Sequence, residues 1–394
     1  MERRSFLLGI GTVALSQLLV GCGGNKQATL NVQLLKGSIP SQVVNQFSKG
    51  LQQKVQLKFA PVEKLQDLFE KLYSLQKKPN TNDEPGWRRI LAFPQSQKPT
   101  FPDLVTLGDY WINLAIEKKL IQPLEVAKIK QWSALPRQWQ ELVTRNDQGL
   151  VDPQGKVWAV PYRWGSTVMI YRRDKFQELG WVPKDWSDLW RNELQGRISL
   201  LNQPREVIGL VLKKLGKSYN TKNLDTVPNL EKELHSLNQQ VKFYDSTRYL
   251  EPLIIGDTWL AVAWSSDLVR VIGRYPQLAA VVPQSGTALW ADVWVNPLGQ
   301  DRQPLLYEWI DFCLKRDIAK EISLLTKTNS PIITDIAVSD FQESLRSLLL
   351  VNSEVLEKSE FLLPLPQPVA AQYESLFAKI KGKLLGLLHS IYAL

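Results

Sequence analysis

The amino-acid sequence predicts an α/β fold in which strands and helices alternate in layers. Alternating apolar residues predict a strand at 29–35, and a helical pattern follows at 40–47. A second strand at 54–60 and a second helix at 65–75 repeat this order. Strand–helix–strand units build layered sheets, and the chain beyond residue 22 is long enough for two domains. We therefore expect an α/β protein with two domains.

The rest of the chain continues the alternation. The polar, proline-rich segment 79–100 interrupts it and is predicted to be an exposed excursion. The further predicted strands are 103–107, 157–162, 168–171, 197–201, 259–264, 278–282 and 292–295. The further predicted helices are 110–119, 186–190, 205–215, 266–272, 305–322 and 369–392.

The N-terminus has the pattern of an export signal. Arg3 and Arg4 form a twin-arginine n-region, an apolar stretch follows, and Leu19-Val20-Gly21-Cys22 ends it in the order that a lipoprotein signal peptidase needs. This predicts a signal at 1–22, a tether at 23–28 and lipidation of Cys22, with the protein anchored on the periplasmic side of a membrane. The alternatives are an uncleaved anchor, or an ordinary signal with two chance arginines.

Cysteine usage and charge narrow the class of protein. The only other cysteine, Cys313, lies in an apolar helical pattern and is predicted to be a buried thiol, so no disulfide is expected. The formal net charge is +9, but the basic residues are dispersed among acids and no nucleic-acid motif is present. A basic patch facing anionic lipid, or plain solvated surface charge, accounts for them better.

Catalytic and cofactor motifs are missing from the sequence. The two histidines, His235 and His389, have no Cys, Asp or Glu at ligand spacing, and no nucleophile elbow, phosphate loop or dinucleotide fingerprint follows the signal. The sequence therefore predicts no metal, no cofactor and no enzyme activity.

Tryptophan is the distinctive residue type, with 14 copies in the chain. Several stand beside a carboxylate at the end of a predicted strand, as in Trp264-Ser265-Ser266-Asp267 and Trp290-Ala291-Asp292. Strand ends are where open α/β sheets bind ligands, and an aromatic face beside a carboxylate suits an ammonium group. The alternative is that these tryptophans are large core residues.

From Trp158 onward the sequence resembles the spermidine/putrescine-type periplasmic binding proteins of solute-binding family 1. The resemblance is carried by Val160-Pro161-Tyr162-Arg163-Trp164-Gly165-Ser166-Thr167, Asp185-Trp186-Ser187-Asp188-Leu189-Trp190, Pro204-Arg205-Glu206-Val207, Ala263-Trp264-Ser265 and Leu289-Trp290-Ala291-Asp292. It implies a type II periplasmic binding protein with two lobes, a mixed sheet in each, and hinge strands that cross near 160–170 and near 290. Lobe 1 is expected to comprise 29–165 with 291–336, and lobe 2 to comprise 166–290 with 337–394.

The resemblance also implies a ligand site between the lobes. Tyr110, Trp264 and Trp290 match aromatic cleft residues, and Glu206 and Asp292 match acids. Other positions depart from the family pattern. Leu35-Lys36-Gly37-Ser38 stands where the family has an aromatic, a threonine, an acid and a tyrosine, Gln203 replaces an aspartate, and Thr328 replaces a tyrosine.

These departures bear on the charge of the ligand. Two expected acids are missing and Lys36 adds a positive charge, so a cation at both ends of a ligand is disfavoured. The hypothesis is a ligand with one cationic end and one neutral or anionic end, such as an amino or guanidino acid. The alternative is that Lys36 points into solvent.

The predicted function is that of a monomeric substrate-binding lipoprotein, which captures a small cationic or zwitterionic, polyamine-like solute by hinge closure and delivers it to ABC permease subunits. One alternative is an interaction lipoprotein that has lost small-molecule binding. Another is an exported enzyme.

Overall fold

The computed structural model describes residues 28–76, 101–300, 303–349 and 352–391. The predicted signal, the lipidation site Cys22, nearly all of the tether and the excursion at 79–100 lie outside these residues. Within them, no helix is both long and apolar enough to cross a membrane.

Thirteen strands are described, and most belong to one mixed sheet. They are β1 (Thr29–Leu35), β2 (Gln56–Val62), β3 (Leu104–Gly108), β4 (Ile121–Gln122), β5 (Thr144–Arg145), β6 (Lys156–Val157), β7 (Val160–Arg172), β8 (Ile198–Leu200), β9 (Val241–Tyr244), β10 (Leu260–Trp264), β11 (Leu278–Val281), β12 (Ala288–Pro297) and β13 (Glu360–Phe361).

Helices cover the sheet. The described α-helices are α1 (Ser41–Gly50), α2 (Leu65–Gln76), α3 (Ile112–Glu117), α4 (Arg137–Val143), α5 (Arg173–Leu179), α6 (Pro204–Lys214), α7 (Leu230–Gln240), α8 (Glu251–Ile255), α9 (Ser265–Ile272), α10 (Pro304–Leu314), α11 (Arg316–Thr326), α12 (Glu343–Leu349), α13 (Ser353–Lys358) and α14 (Gln367–Ile391). A short 3₁₀ turn at Asp109–Trp111 leads into α3 at the start of the helix predicted at 110–119, and the helix predicted at 186–190 is a 3₁₀ turn at Trp186–Trp190.

Two long antiparallel strands, β7 and β12, join the halves of the sheet. Its order is β2-β1-β3-β12-β7-β10-β8-β9, with β11 on β7 and with β4 and β13 on β12. The prediction of two separate strands at 157–162 and 168–171 is wrong, since one strand runs through Val160–Arg172. Gly165 and Ser166 break the apolar pattern and imitate a turn, but both are buried within the strand.

Two hydrophobic cores flank this crossing. The first gathers buried residues from 30–164 and 289–332, and the second gathers buried residues from 168–282 and 341–380. Each core is built from segments that are distant in sequence, because the chain crosses from one to the other and returns. The lobe boundaries given above stay a prediction, and this distribution of buried residues supports them.

The long helix predicted at 305–322 is wrong, because two helices occupy this segment. α10 ends at Leu314 and α11 begins at Arg316, with Lys315 extended between them at φ −60° and ψ 137°. The apolar spacing continues across the break, so periodicity alone does not reveal it. Cys313, near the end of α10, is a buried free thiol as predicted.

Candidate functional site

The crossing strands bring together three pairs of residues on one face of the sheet. Antiparallel pairing sets Arg163 opposite Asp292 and Gly165 opposite Trp290 on β12. On the other side of β7, Thr167 stands opposite Trp264 of β10. Because side chains two apart in a strand share a face, residues 163, 165 and 167 form one row. The face formed by these residues and their partners is termed the crossing face.

Glu206 closes one end of the crossing face. It lies in the first turn of α6, which Pro204 opens, and it is only 6% exposed. Its Oε1 accepts hydrogen bonds from the Thr167 hydroxyl and from the indole N–H of Trp264, each at 3.0 Å. Its buried Oε2 has no hydrogen-bond partner among the described residues. A carboxylate with one bare oxygen is therefore held beside the Trp264 ring.

The electrostatics of Glu206 follow from its burial. Loss of solvent raises the pKa of this carboxyl above its usual range, although the bonds from Trp264 and Thr167 and the charge of Arg205 oppose the shift. The position in the first turn of a helix also favours negative charge. Ionised Glu206 is costly while Oε2 has no partner, and a cation beside that oxygen would remove much of the cost.

The centre of the crossing face depends on a glycine. A Cβ atom at Gly165 would lie 2.3 Å from Cζ2 of Trp290 and 2.4 Å from the Ser265 hydroxyl oxygen. The Trp290 ring therefore rests directly on the backbone of β7, where only glycine leaves room. The indole N–H of Trp290 is buried and has no hydrogen-bond partner among the described residues.

Asp292 lies at the other end and is already paired. Arg163 Nη2 stands 2.5 Å from Asp292 Oδ2, and Arg163 Nε donates to the same oxygen at 2.6 Å. Both side chains are almost fully buried. Burial by itself lowers the pKa of Arg163, but the Asp292 carboxylate and the neighbouring Tyr162 hydroxyl more than reverse this, so the guanidinium stays charged.

Asp109 is a second buried acid near Asp292. Its Oδ1 accepts the Ala291 N–H at 2.9 Å, and its carbonyl oxygen accepts from Arg145 Nη2 at 3.3 Å. Burial raises the pKa of Asp109 to about 7, although the Ala291 bond and the charge of Arg145 lower it, while Asp292 raises it further. This carboxyl therefore titrates near neutral pH.

The structure gathers four of the predicted site residues on the crossing face, namely Glu206, Trp264, Trp290 and Asp292. Tyr110 lies in the turn after β3, 46% exposed and against Trp111. Gln203 caps α6 next to Glu206, and no side-chain cap bond is formed. Whether these residues contact a ligand stays a prediction.

Lys36 has a partner that sequence reasoning did not consider. Its Nζ lies 2.5 Å from Glu63 Oε1, and both side chains are more than half exposed. The positive charge of Lys36, which was predicted to repel a ligand, thus pairs with Glu63 on the surface. The structure favours the alternative stated above, in which Lys36 faces solvent.

Three residues of this site were missed from the sequence, namely Arg163, Thr167 and Asp109. Arg163 falls between the strands predicted at 157–162 and 168–171, so the sequence does not show that it is buried in a strand and needs a counter-charge. Its partner could not be identified, since the pairing of β7 with β12 joins residues 129 apart in sequence. Thr167 carried no signal beyond its polarity, whereas Asp109 follows the strand predicted at 103–107 and stands two residues before Trp111, the same pattern of carboxylate and tryptophan that marked Trp264 and Trp290.

Two surface grooves lie away from the crossing face. One of about 730 Å³ runs between α7 and α14, and one of about 470 Å³ is lined by residues that include Trp139, Trp164 and Ile332. Neither is lined by Glu206 or Asp292. On the crossing face, Trp264 and Trp290 are partly exposed, whereas Glu206 and Asp292 are buried.

The fold agrees with comparisons to known proteins. Residues 100–357 match the family described as bacterial extracellular solute-binding protein. The chain belongs to this family. Its members are solute-binding proteins of transport systems rather than enzymes, and the predicted family and class of protein are confirmed.

Two curated relatives share the sequence pattern. A putrescine/cadaverine-binding protein of Pseudomonas aeruginosa is 30% identical over 192 residues, which cover 45% of this chain and 53% of that protein. The match therefore spans about half of that relative. A spermidine/putrescine-binding periplasmic protein of Salmonella typhimurium is 24% identical over 283 residues, covering 71% of this chain and 77% of that protein.

Solved structures share the fold. The spermidine/putrescine ABC transporter substrate-binding protein PotD of Streptococcus pneumoniae superposes with a TM-score of 0.72 at 20% identity, covering 90% of this chain and 99% of that one. The Tp0655 lipoprotein of Treponema pallidum gives a TM-score of 0.65 at 16% identity, with 89% and 99% coverage. The predicted two-lobed α/β fold is confirmed.

Proposed function

We propose that this protein captures a small amine-bearing solute on the crossing face and delivers it to an ABC importer. The observation that carries the proposal is the buried Glu206 carboxylate, which is fixed by Thr167 and Trp264 through one oxygen and is bare on the other. An ammonium or guanidinium group supplies both the missing charge and the missing donor. The names of the relatives, which bind putrescine, cadaverine or spermidine, support an amine as the recognised group.

The aromatic residues provide the second part of the affinity. The Trp264 ring is held in place by its own N–H bond to Glu206, so its orientation is set before a ligand arrives. A cation beside an ordered tryptophan gains attraction from the ring quadrupole, and the alkyl part of the solute gains burial against Trp290. Little side-chain ordering is then needed on binding, which improves affinity.

Capture works by closure of the two halves. Glu206 and Trp264 belong to segments of the second core, whereas Trp290 and Asp292 lie on β12 beside the first core. A solute that contacts both sets binds the closed form more tightly than the open form, and so it shifts the population towards closure. The closed form is the species that permease subunits recognise.

We infer from the N-terminal signal pattern that this activity takes place at a membrane. Lipidation at Cys22, after export by the twin-arginine route, holds a monomer on the periplasmic side and close to its permease. The lipid restricts diffusion to the membrane plane, and residues 23–28 form the tether between the lipid and the fold. These steps rest on the sequence pattern of residues 1–28.

A second candidate is an interaction lipoprotein that no longer binds a small molecule. The observation in its favour is that two contacts on the crossing face are made within the chain, with Trp290 resting on Gly165 and Arg163 paired with Asp292. An exported enzyme has no comparable support, and the described residues hold no cluster of three His, Cys, Asp or Glu side chains that could bind a metal.

A thermal-shift screen of the purified protein separates the candidates. Monoamines, polyamines, amino acids and guanidino acids are tested, with sugars and carboxylic acids without amines as controls. A true ligand raises the melting temperature in proportion to the logarithm of its concentration. We expect such a rise for amine-bearing compounds only. No shift with any amine would contradict solute capture and favour the interaction lipoprotein.

A further inference from the structure

The crossing face holds two buried carboxylates that differ in the charge of their hydrogen-bond partners. Among the described residues, Glu206 is bonded by neutral donors alone, the Thr167 hydroxyl and the Trp264 indole, and one of its oxygens has no hydrogen-bond partner. Asp292 is contacted by a full positive charge, because Nε and Nη2 of Arg163 both point at its Oδ2. One carboxylate is therefore open to an external cation, while the other already has an internal one.

Arg163 is fixed in this role by its surroundings. It is 5% exposed, and the β7–β12 register places it directly opposite Asp292. The two donors that converge on one carboxylate oxygen hold the guanidinium in place, and the Tyr162 hydroxyl stands beside it. A buried arginine without this partner would be strongly unfavourable, so the pair is retained whether or not a solute is bound.

The spacing along β7 makes the two ends parts of one binding row. Arg163 and Thr167 are four residues apart in the same strand, which corresponds to about 13 Å. Trp290 and Gly165 lie between them on the same face. An elongated solute anchored at Glu206 and lying along Trp290 therefore directs its far end towards the Arg163–Asp292 pair.

We propose that Arg163 is a specificity-determining residue, which restricts the site to solutes with a single cationic group by supplying from within the chain the cation that Asp292 would otherwise take from the solute. The inference rests on the proposed function, since it specifies the solute class of the same site. A second ammonium at this end would meet a carboxylate that is already neutralised and a guanidinium of like charge. It would be buried without compensation.

The test compares solutes that differ only at one end. Straight-chain diamines with about four to eight methylene groups, chosen for the row length of about 13 Å, are matched to the n-alkylamine and the ω-amino acid of the same length. Binding to the full chain is measured by titration calorimetry. We expect the wild-type protein to bind the n-alkylamine about tenfold or more tighter than the matched diamine.

Two variants each leave one unpaired charge, of opposite sign, at the end of the row that faces the solute. Arg163→Met leaves Asp292 without its counter-ion, so the diamine should become the preferred ligand, by about tenfold over the n-alkylamine. Asp292→Asn leaves the Arg163 guanidinium free, so the ω-amino acid should become the preferred ligand instead. Arg163→Met should also melt about 5–10 °C lower than wild type, and the diamine should restore much of this loss.

A double variant guards against misfolding as the cause. Arg163→Met with Asp292→Leu replaces the pair by apolar groups, which proteins tolerate better than a half-pair, and it should keep alkylamine binding without gaining diamine binding. If Arg163→Met fails to fold, the folded Asp292→Asn variant decides: a gained preference for the ω-amino acid supports the inference, and an unchanged preference for the n-alkylamine overturns it.

The outcomes separate this inference from the proposed function. Equal binding of diamine and alkylamine by wild type, or an unchanged preference in folded Arg163→Met, overturns the role of Arg163 and leaves amine capture at Glu206 intact. Binding of none of these amines by any form of the protein overturns both.

Discussion

Replacement of Glu206 by glutamine separates the function of the site from its stability. The substitution keeps the shape of the side chain and an oxygen that can accept from Thr167 and Trp264, but it removes the negative charge. Since the proposed role of Glu206 is to pair with a solute cation, binding should weaken. Since the same carboxylate is buried beside neutral donors, the fold should not weaken with it.

The magnitude of the binding loss follows from the contact removed. A hydrogen bond between a buried carboxylate and an ammonium contributes about 1.5–3 kcal/mol to binding, because both partners are charged. A loss of about 2 kcal/mol corresponds to about thirtyfold weaker binding. The effect should appear for every amine that binds, whatever group the amine carries at its other end.

The effect on stability has the opposite sign. The pKa of Glu206 is raised in the folded protein, chiefly by burial, so the folded state holds its proton to a higher pH than the unfolded state does. The contribution of this group to stability is therefore lost as pH rises above the ordinary carboxyl range. At pH 8 the Glu206→Gln variant should be as stable as wild type or more stable, and the difference should shrink as the pH is lowered.

The assay combines calorimetric titration of an alkylamine with urea unfolding at several pH values. Glu360→Gln is the matched control in the second half of the molecule, because Lys213 and Ser218 lower the pKa of Glu360 despite partial burial. That variant should lose stability at pH 8 and keep amine affinity. Unchanged amine binding by folded Glu206→Gln would refute the reasoning, and so would a clear loss of stability at pH 8.

Four further predictions test other parts of the account. Trp264→Ala and Trp290→Ala should each weaken amine binding, measured by calorimetry, by about 1–3 kcal/mol, because cation–π attraction and burial are lost. Unchanged binding by the folded variants would show that both rings are core residues only. Gly165→Ala places a Cβ atom 2.3 Å from the Trp290 ring. The variant should lower the free energy of unfolding, measured by urea denaturation, by about 1–3 kcal/mol. An unchanged free energy of unfolding would show that the ring moves freely. Asp109→Asn should stabilise the protein above pH 7 and have little effect near pH 4 in urea titrations. The reason is that the difference between a pKa of about 7 in the folded protein and the usual 3.8 is worth up to about 4 kcal/mol of stability. A pH-independent effect would contradict the titration of this buried carboxyl. Cys22→Ser should abolish acyl labelling and mislocalise a folded protein, and labelling that persists would contradict lipidation at this residue.

Local patterns were sufficient to predict most elements of the fold. The segments at 29–35, 65–75 and 259–264 fall within a residue or two of β1, α2 and β10, since each carries a clear periodicity and flanking turn residues. The boundary errors at 157–171 and 305–322 arose where a local signal imitated a boundary or hid one, while α4, α5 and β9 were not predicted. Gly165 resembles a turn but allows close approach of Trp290, and the break at Lys315 leaves the apolar spacing undisturbed.

The site was less predictable, because its chemistry depends on pairings across the sheet. Asp292 was expected to hold a cation of the ligand, and the sequence gives no sign that Arg163 reaches it across 129 positions. Lys36 was considered as a charge near the ligand, yet Glu63 binds it on the surface. Strand register decides both contacts, and register is a property of the assembled sheet rather than of either segment.

The most direct test of solute capture at Glu206 is a crystal structure of the protein grown with the n-alkylamine that binds most tightly. We expect one amine whose nitrogen lies within hydrogen-bond distance of Glu206 Oε2, with its alkyl chain along Trp264 and Trp290 and with the Arg163–Asp292 pair unbroken. An amine bound elsewhere, with Glu206 Oε2 contacting only the protein, would contradict it.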